Sequence, residues 1–210
     1  MVGGGRRCLS AVALGSAALL VLAPVLAQVP DPVVAPAAPA SPTPPVVAQP
    51  GPEVDVLVAV RRGLRGYYRA VSVEANTARR DEAVRRSVAS LFALIRPLAT
   101  SRITEGNPVF PVVRIAFAEG EVDVATPPVL ARSPEDGSER STTSFNRQTN
   151  HLTHRLTAAG LTQRMWTDEG SRTTRFVSHD NGRGLTLHVA IRSPRLPVPV
   201  EYTMDFARAN

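Results

Sequence analysis

The 210-residue chain has no lysine: all 24 of its basic positions are arginine. That absence excludes a phosphate-loop lysine, a Schiff-base lysine and a Ser-x-x-Lys nucleophile, because each needs an amine that can lose its proton or approach phosphate as a point charge. Cysteine occurs once, as Cys8, near the N-terminus, so the rest of the chain can form no disulfide framework, Cys-based zinc site or thiol nucleophile. Tryptophan also occurs once, as Trp166. No Gly-x-Ser-x-Gly elbow is present, and no His-Glu-x-x-His zinc motif.

What is abundant is proline, with 19 residues, and positive charge, with a formal net charge of +6. Arginine without lysine, amid so much Ala, Val and Pro, reads as a compositional habit of the chain rather than as a nucleic-acid footprint. Arg6 and Arg7 precede an apolar run, Leu9 to Leu22, and Val25-Leu26-Ala27 sets small or aliphatic residues before Gln28. This n-region, h-region and cleavage pattern predicts a signal peptide over 1–27 and a periplasmic or secreted location. Residues 28–53, with Pro30, Pro32, Pro36, Pro39, Pro42, Pro44, Pro45, Pro50 and Pro52, predict a disordered Pro/Ala-rich linker, since proline removes a backbone donor and restricts its neighbour.

The remaining stretch, 54–210, is expected to be a single α+β domain. Its basic helical part, 54–102, contains one amphipathic helix over Val54–Val71, weakened by Gly63 and Gly66, and a second whose stripe is Val84, Val88, Leu91, Ile95 and Leu98, closed by Pro97. The part 103–210 holds a hairpin turning at Glu119-Gly120, with Phe117 opposite Val122 and Ile115 opposite Val124. A polar loop over Thr126–Ser144 is expected next, then a third helix over Ser144–Ala159 with Phe145, Leu152, Leu156 and Ala159 as its stripe. A four-stranded antiparallel meander follows, with Asn181-Gly182 as its clearest turn. About three helices then cover one apolar face of the sheet, beneath which Met165, Phe176, Leu187 and Tyr202 share a side.

The other face of that sheet is mixed. Trp166, Arg164, Arg175 and His188 on it make a candidate ligand platform, with Trp166 stacking on Arg175, suited to a sugar ring or an anionic group. A second candidate is the arginine face of the first helix, Arg61, Arg62, Arg65 and Arg69, suited to an anionic surface. His151 and His154, three apart on the expected third helix, fit a solvated face better than a metal site, because no carboxylate stands beside them. His188 with Glu201 or Asp205, and Ser178 or Ser193 as nucleophile, outlines a small hydrolase without a recognised motif.

These features favour an exported, non-enzymatic domain that binds an envelope component or a protein partner. The hydrolase is one alternative, and a membrane-tethered scaffold with a Pro-rich spacer is another. No catalytic residue, metal or cofactor is assigned, no nucleic-acid partner is expected, and a membrane is involved only if the signal segment is retained.

Overall fold

The computed structural model describes residues 52–127, 129–143 and 149–209. The expected signal segment 1–27 and all but the last two residues of the expected linker 28–53 lie outside the described residues.

Helix α1 spans Pro52–Leu64, and Gly66–Ala70 is strand β1, so the single helix expected over Val54–Val71 is a helix followed by a strand. Helix α2, Val73–Val88, is started by Ser72, whose hydroxyl accepts from the Ala75 amide at 3.0 Å and so satisfies one of the free donors of the first turn. Pro97 does not close this helix. It lies in the first turn of α3, Arg96–Gly106, where a missing N–H costs nothing.

Nine strands follow: β2 Val112–Ala118, β3 Glu121–Thr126, β4 Val129–Pro134, β5 Arg140–Thr143, β6 Thr149–Thr157, β7 Gly160–Thr167, β8 Gly170–His179, β9 Gly184–Arg192 and β10 Val200–Arg208. With β1 they form one sheet in the order β4-β3-β2-β1-β10-β9-β8-β7-β6-β5, antiparallel at every pair. The β2–β3 register is the expected one, Phe117 with Val122 and Ile115 with Val124, and its turn places Glu119 and Gly120 at φ 52° and 79°, as a type I′ turn requires. Phe176 stands opposite Leu187 as expected.

The sheet curls until β4 meets β6. There the Leu156 amide donates to the Glu135 carbonyl at 2.9 Å, Asp136 bridges Arg155, and Ser133 Oγ lies 2.8 Å from His154 Nδ1. The α+β expectation of a sheet covered by about three helices is therefore corrected to a ten-stranded, nearly closed antiparallel β-barrel with a few helices. The physical reason is that a sheet closed on itself buries its apolar face against its own opposite wall and needs no helical layer. Two misread segments hid this. The expected third helix is strand β6, and the expected loop over 126–144 contains β4 and β5.

Inward positions alternate along each strand. Tyr68, Val113, Ile115, Phe117, Val122, Val124, Leu161, Phe176, Leu185, Leu187, Val189, Tyr202, Met204 and Phe206 form one buried cluster with Leu64 of α1 and with Ala83, Val84 and Val88 of α2. Gly160 is required where β6 turns into β7: its φ is +122°, and a Cβ there would lie 2.3 Å from the Phe176 carbonyl oxygen.

Helix α2 takes the place of a strand. β1 pairs with β10 only from Tyr68↔Arg208 to Ala70↔Phe206, which leaves the rest of that edge of β10 without a ladder. Buried Asn76 of α2 caps that edge: its amide oxygen accepts from the Asp205 N–H at 3.1 Å, and its amide nitrogen, at 3.3 Å, joins the Val71 N–H, at 3.0 Å, in donating to the Asp205 carbonyl. Further along, the Ser87 hydroxyl donates to the Val198 carbonyl. The Asp205 N–H would otherwise lack a partner on that edge, at a cost.

Candidate functional site

The two ends of the barrel are finished differently. At one, α1 is pinned by the Arg61–Glu135 ion pair, by Arg65 donating to the Phe117 carbonyl at 2.5 Å, and by the Tyr68 hydroxyl donating to the Gly63 carbonyl at 2.8 Å. At the other, α3 overhangs the start of β8 and the end of β9 and leaves a cleft of about 700 Å³.

Leu91, Ile95, Leu98 and Ile103 from the helical side of the cleft face Met165, Ile191 and Leu196, so its walls are mostly apolar. Three arginines, Arg102, Arg192 and Arg195, lie on its border with one acid, Glu169; Arg195 reaches Glu169 at 3.8 Å.

Arg172 is the cationic group that points inward. It shares the inner face of β8 with Thr174 and Phe176 and stands opposite Met165 and Ile191. Its guanidinium lies over the Phe110 ring at 5.6 Å, and its Nε is buried with no hydrogen-bond partner. Burial pushes its pKa below the ordinary value, with the neighbouring Tyr202 opposing, yet a guanidinium stays charged in a protein. The Tyr202 hydroxyl is likewise buried without a partner, and burial raises its pKa. The nearby Arg80 is neutralised by Asp81 at 2.7 Å. Two donors stranded in one apolar corner, with no anion to receive them, are expensive by themselves.

The residues singled out from the sequence lie on the outside of the same wall, and of them Trp166 also borders the cleft. Arg164 and Trp166 of β7, Arg175 of β8 and His188 of β9 all point outward. Trp166 stands opposite His151 and Ser171; its ring stacks on His151 with centroids 5.1 Å apart and carries Arg164 at 4.8 Å, in place of the expected Arg175. Arg175 pairs across the ladder with His188. His188 stands opposite Thr203. Asp205 is held by Arg79 at 2.8 Å and by the Thr186 hydroxyl at 3.0 Å, and Ser193 donates to the Glu169 carbonyl. Among the described residues, His188, Asp205 and Ser193 are thus each engaged elsewhere and are not brought into line.

His151 and His154 fall on a strand, where residues three apart face opposite sides: His151 is outside against Glu139 at 2.5 Å, and His154 is inside. No group of three metal-ligating side chains occurs among the described residues. The four arginines of the expected anionic face are divided between elements. Arg61 and Arg62 lie on α1, Arg65 follows it and turns to Phe117, and Arg69 lies on β1.

Arg172 was missed. Its parity with Phe176, four residues on, puts it on the apolar side of β8, and a lone arginine on the buried side of a strand is the signal that could have found it.

No family model matches this chain, and no curated protein matches it. Its fold is similar to solved fatty-acid-binding barrels. The fatty-acid-binding protein 1 of Echinococcus granulosus is 11% identical over 70% of this chain and 98% of its own, with a TM-score of 0.43. A Schistosoma mansoni fatty acid binding protein in complex with arachidonic acid is 10% identical over 72% of this chain and 99% of its own, with a TM-score of 0.42. A fatty acid transporter, REP1-NXSQ, is 13% identical over 70% and 96%, also with a TM-score of 0.42.

At that level the likeness does not decide function, and the barrel stands on this chain's own strand pairing. The expectation of a domain that binds an envelope component or a protein partner through the arginine-rich helices or the mixed sheet face is corrected on this chain's own geometry: the arginine face is broken where α1 gives way to β1, and the sheet closes into a barrel with an apolar cleft.

Proposed function

We propose that the barrel binds a small amphipathic molecule, with its apolar body in the cleft beneath α3 and an anionic end, such as a carboxylate, at Arg172. The observation that carries this reading is the buried, unpartnered Nε–H of Arg172 on the inner wall of an apolar cleft. A carboxylate there would accept the stranded Nε–H of Arg172, and the phenol of Tyr202 would add a further donor. An uncharged apolar ligand would fill the cleft and leave both donors unsatisfied. A wholly polar ligand would forgo the Leu91, Ile95, Leu98 and Met165 walls.

The test is displacement of an anionic fluorescent probe by hexadecanoate and, separately, by the matching alcohol. Replacing Arg172 by Leu is expected to weaken the carboxylate by about 10- to 100-fold, the value of a charge-assisted hydrogen bond, and to leave the alcohol unchanged. Equal binding of acid and alcohol by the unaltered protein would overturn the reading.

A further inference from the structure

The barrel wall is weakest where β4 meets β6. Every other junction along the sheet from β4 to β5 is a ladder. This one rests on the Leu156–Glu135 backbone bond, the Asp136↔Arg155 backbone bridge, the Arg140–Glu121 ion pair and one buried side-chain chain that crosses the gap. In that chain Ser133 of β4, His154 of β6 and Gln163 of β7 lie in line, at 2.8 Å from Oγ to Nδ1 and 2.9 Å from Nε2 to the Gln163 amide nitrogen. His154 is 0% exposed.

The network suits a neutral ring, and with the Gln163 amide nitrogen toward Nε2 it selects one tautomer. The Gln163 amide donates to Nε2, so Nε2 carries the lone pair and the ring proton is on Nδ1, where it donates to Ser133 Oγ; the Ser133 hydroxyl then turns to the Pro134 carbonyl at 3.4 Å. A second proton on Nε2 would set donor against donor at Gln163. Turning the amide over would mend that bond but leave an imidazolium sealed in the wall. The charges around it compensate little. From the outer face of β3, Asp123 acts on the ring through space but is engaged by Arg132 of β4. Glu135 is taken by Arg61 of α1 and Arg140 of β5 by Glu121 at 2.6 Å, while Asp136 and Arg155 meet through their backbones. Gln163 and, beside it on β8, Thr174 are neutral.

We infer that the β4–β6 seam is an acid-operated latch, in which Ser133, His154 and Gln163 hold the wall shut while the imidazole is neutral, and a second proton on His154 parts the two strands and opens a side route into the barrel. Burial holds the closed-state pKa of His154 at about 4, only partly offset by the charge of Asp123, and exposure on opening returns it to its ordinary value. Opening should then become on the order of 100-fold more favourable between pH 7 and pH 4, because the open form binds a proton that the closed form resists.

The experiment is amide hydrogen exchange of the unaltered protein across that pH range, corrected for intrinsic rates, with 15N spectra of the His154 ring recorded in parallel. The Leu156 amide is expected to lose about 100-fold of its protection, while the Leu187 and Met204 amides of the β9–β10 ladder keep theirs, with a midpoint that matches the ring titration. Replacing His154 by Gln should abolish the pH dependence at Leu156. Loss of protection equal at Leu156 and Met204, or a His154 ring that titrates with no change at Leu156, would overturn the latch, and both readouts need only the native protein.

Discussion

The barrel has two unlike halves. Toward α1 the interior is filled: Tyr68, Phe117, Leu161, Phe176, Leu185 and Phe206 are all buried in one cluster, and the end is corked by a helix bonded through Arg61, Gly63 and Arg65. Toward α3 the interior carries Arg172 and Tyr202 with stranded donors and opens into the cleft. The filled half supplies the free energy of folding, and the other half uses some of it to keep an unpaired charge beside apolar walls. Polar groups placed against the local rule mark where binding is expected.

The largest effect that sharpens this contrast is expected from Phe176→Ala. Deleting a buried aromatic ring from the filled half should cost about 3–5 kcal/mol of stability, read from urea unfolding, with little change in carboxylate affinity for the molecules that remain folded. A loss of affinity as large as the Arg172→Leu loss would show that the halves are not separate.

Smaller, and specific to the seam, is an acid dependence carried by His154. Its folded-state pKa, about 4, lies below the unfolded value of about 6.5. The unfolded chain therefore takes up the proton first as pH falls. The contribution of neutral His154 is full above about pH 6.5 and is lost progressively toward pH 4, to a limit of roughly 3 kcal/mol. Unfolding free energies of the native protein and of His154→Gln, compared from pH 7 to pH 4, should diverge over that window; parallel curves would contradict the assignment.

Much of the wall was legible before the structure. β9 and β10 alternate cleanly, Glu119-Gly120 and Asn181-Gly182 mark the β2–β3 and β8–β9 turns, and the β2–β3 pairs follow from the first. β6 was not legible, for a reason rooted in the seam. Leu152 and Leu156 are four apart, which suits a helix as well as a strand, and the inward residue between them is His154, whose polarity erases the alternation. β4 and β5 are short, with Ser133, Arg140 and Ser141 among their residues, and resemble a loop. β1 is masked by the two tyrosines that extend the apparent stripe of α1. Closure of the barrel depends on contacts between β4 and β6 that no local pattern carries. Arg172 could be placed on the inner face by parity, but the cleft beside it depends on where α3 settles, and that is a tertiary outcome.

The account is tested most directly by the carboxyl group of a bound ligand. Hexadecanoate labelled with 13C at its carboxyl carbon, bound to the native protein, should stay ionised well below the ordinary carboxylate pKa, because the Arg172 guanidinium favours the charged form, and Arg172→Leu should restore ordinary titration. A bound ligand whose carboxyl titrates as it does in water, in native protein and variant alike, would contradict the placement of the anionic end at Arg172.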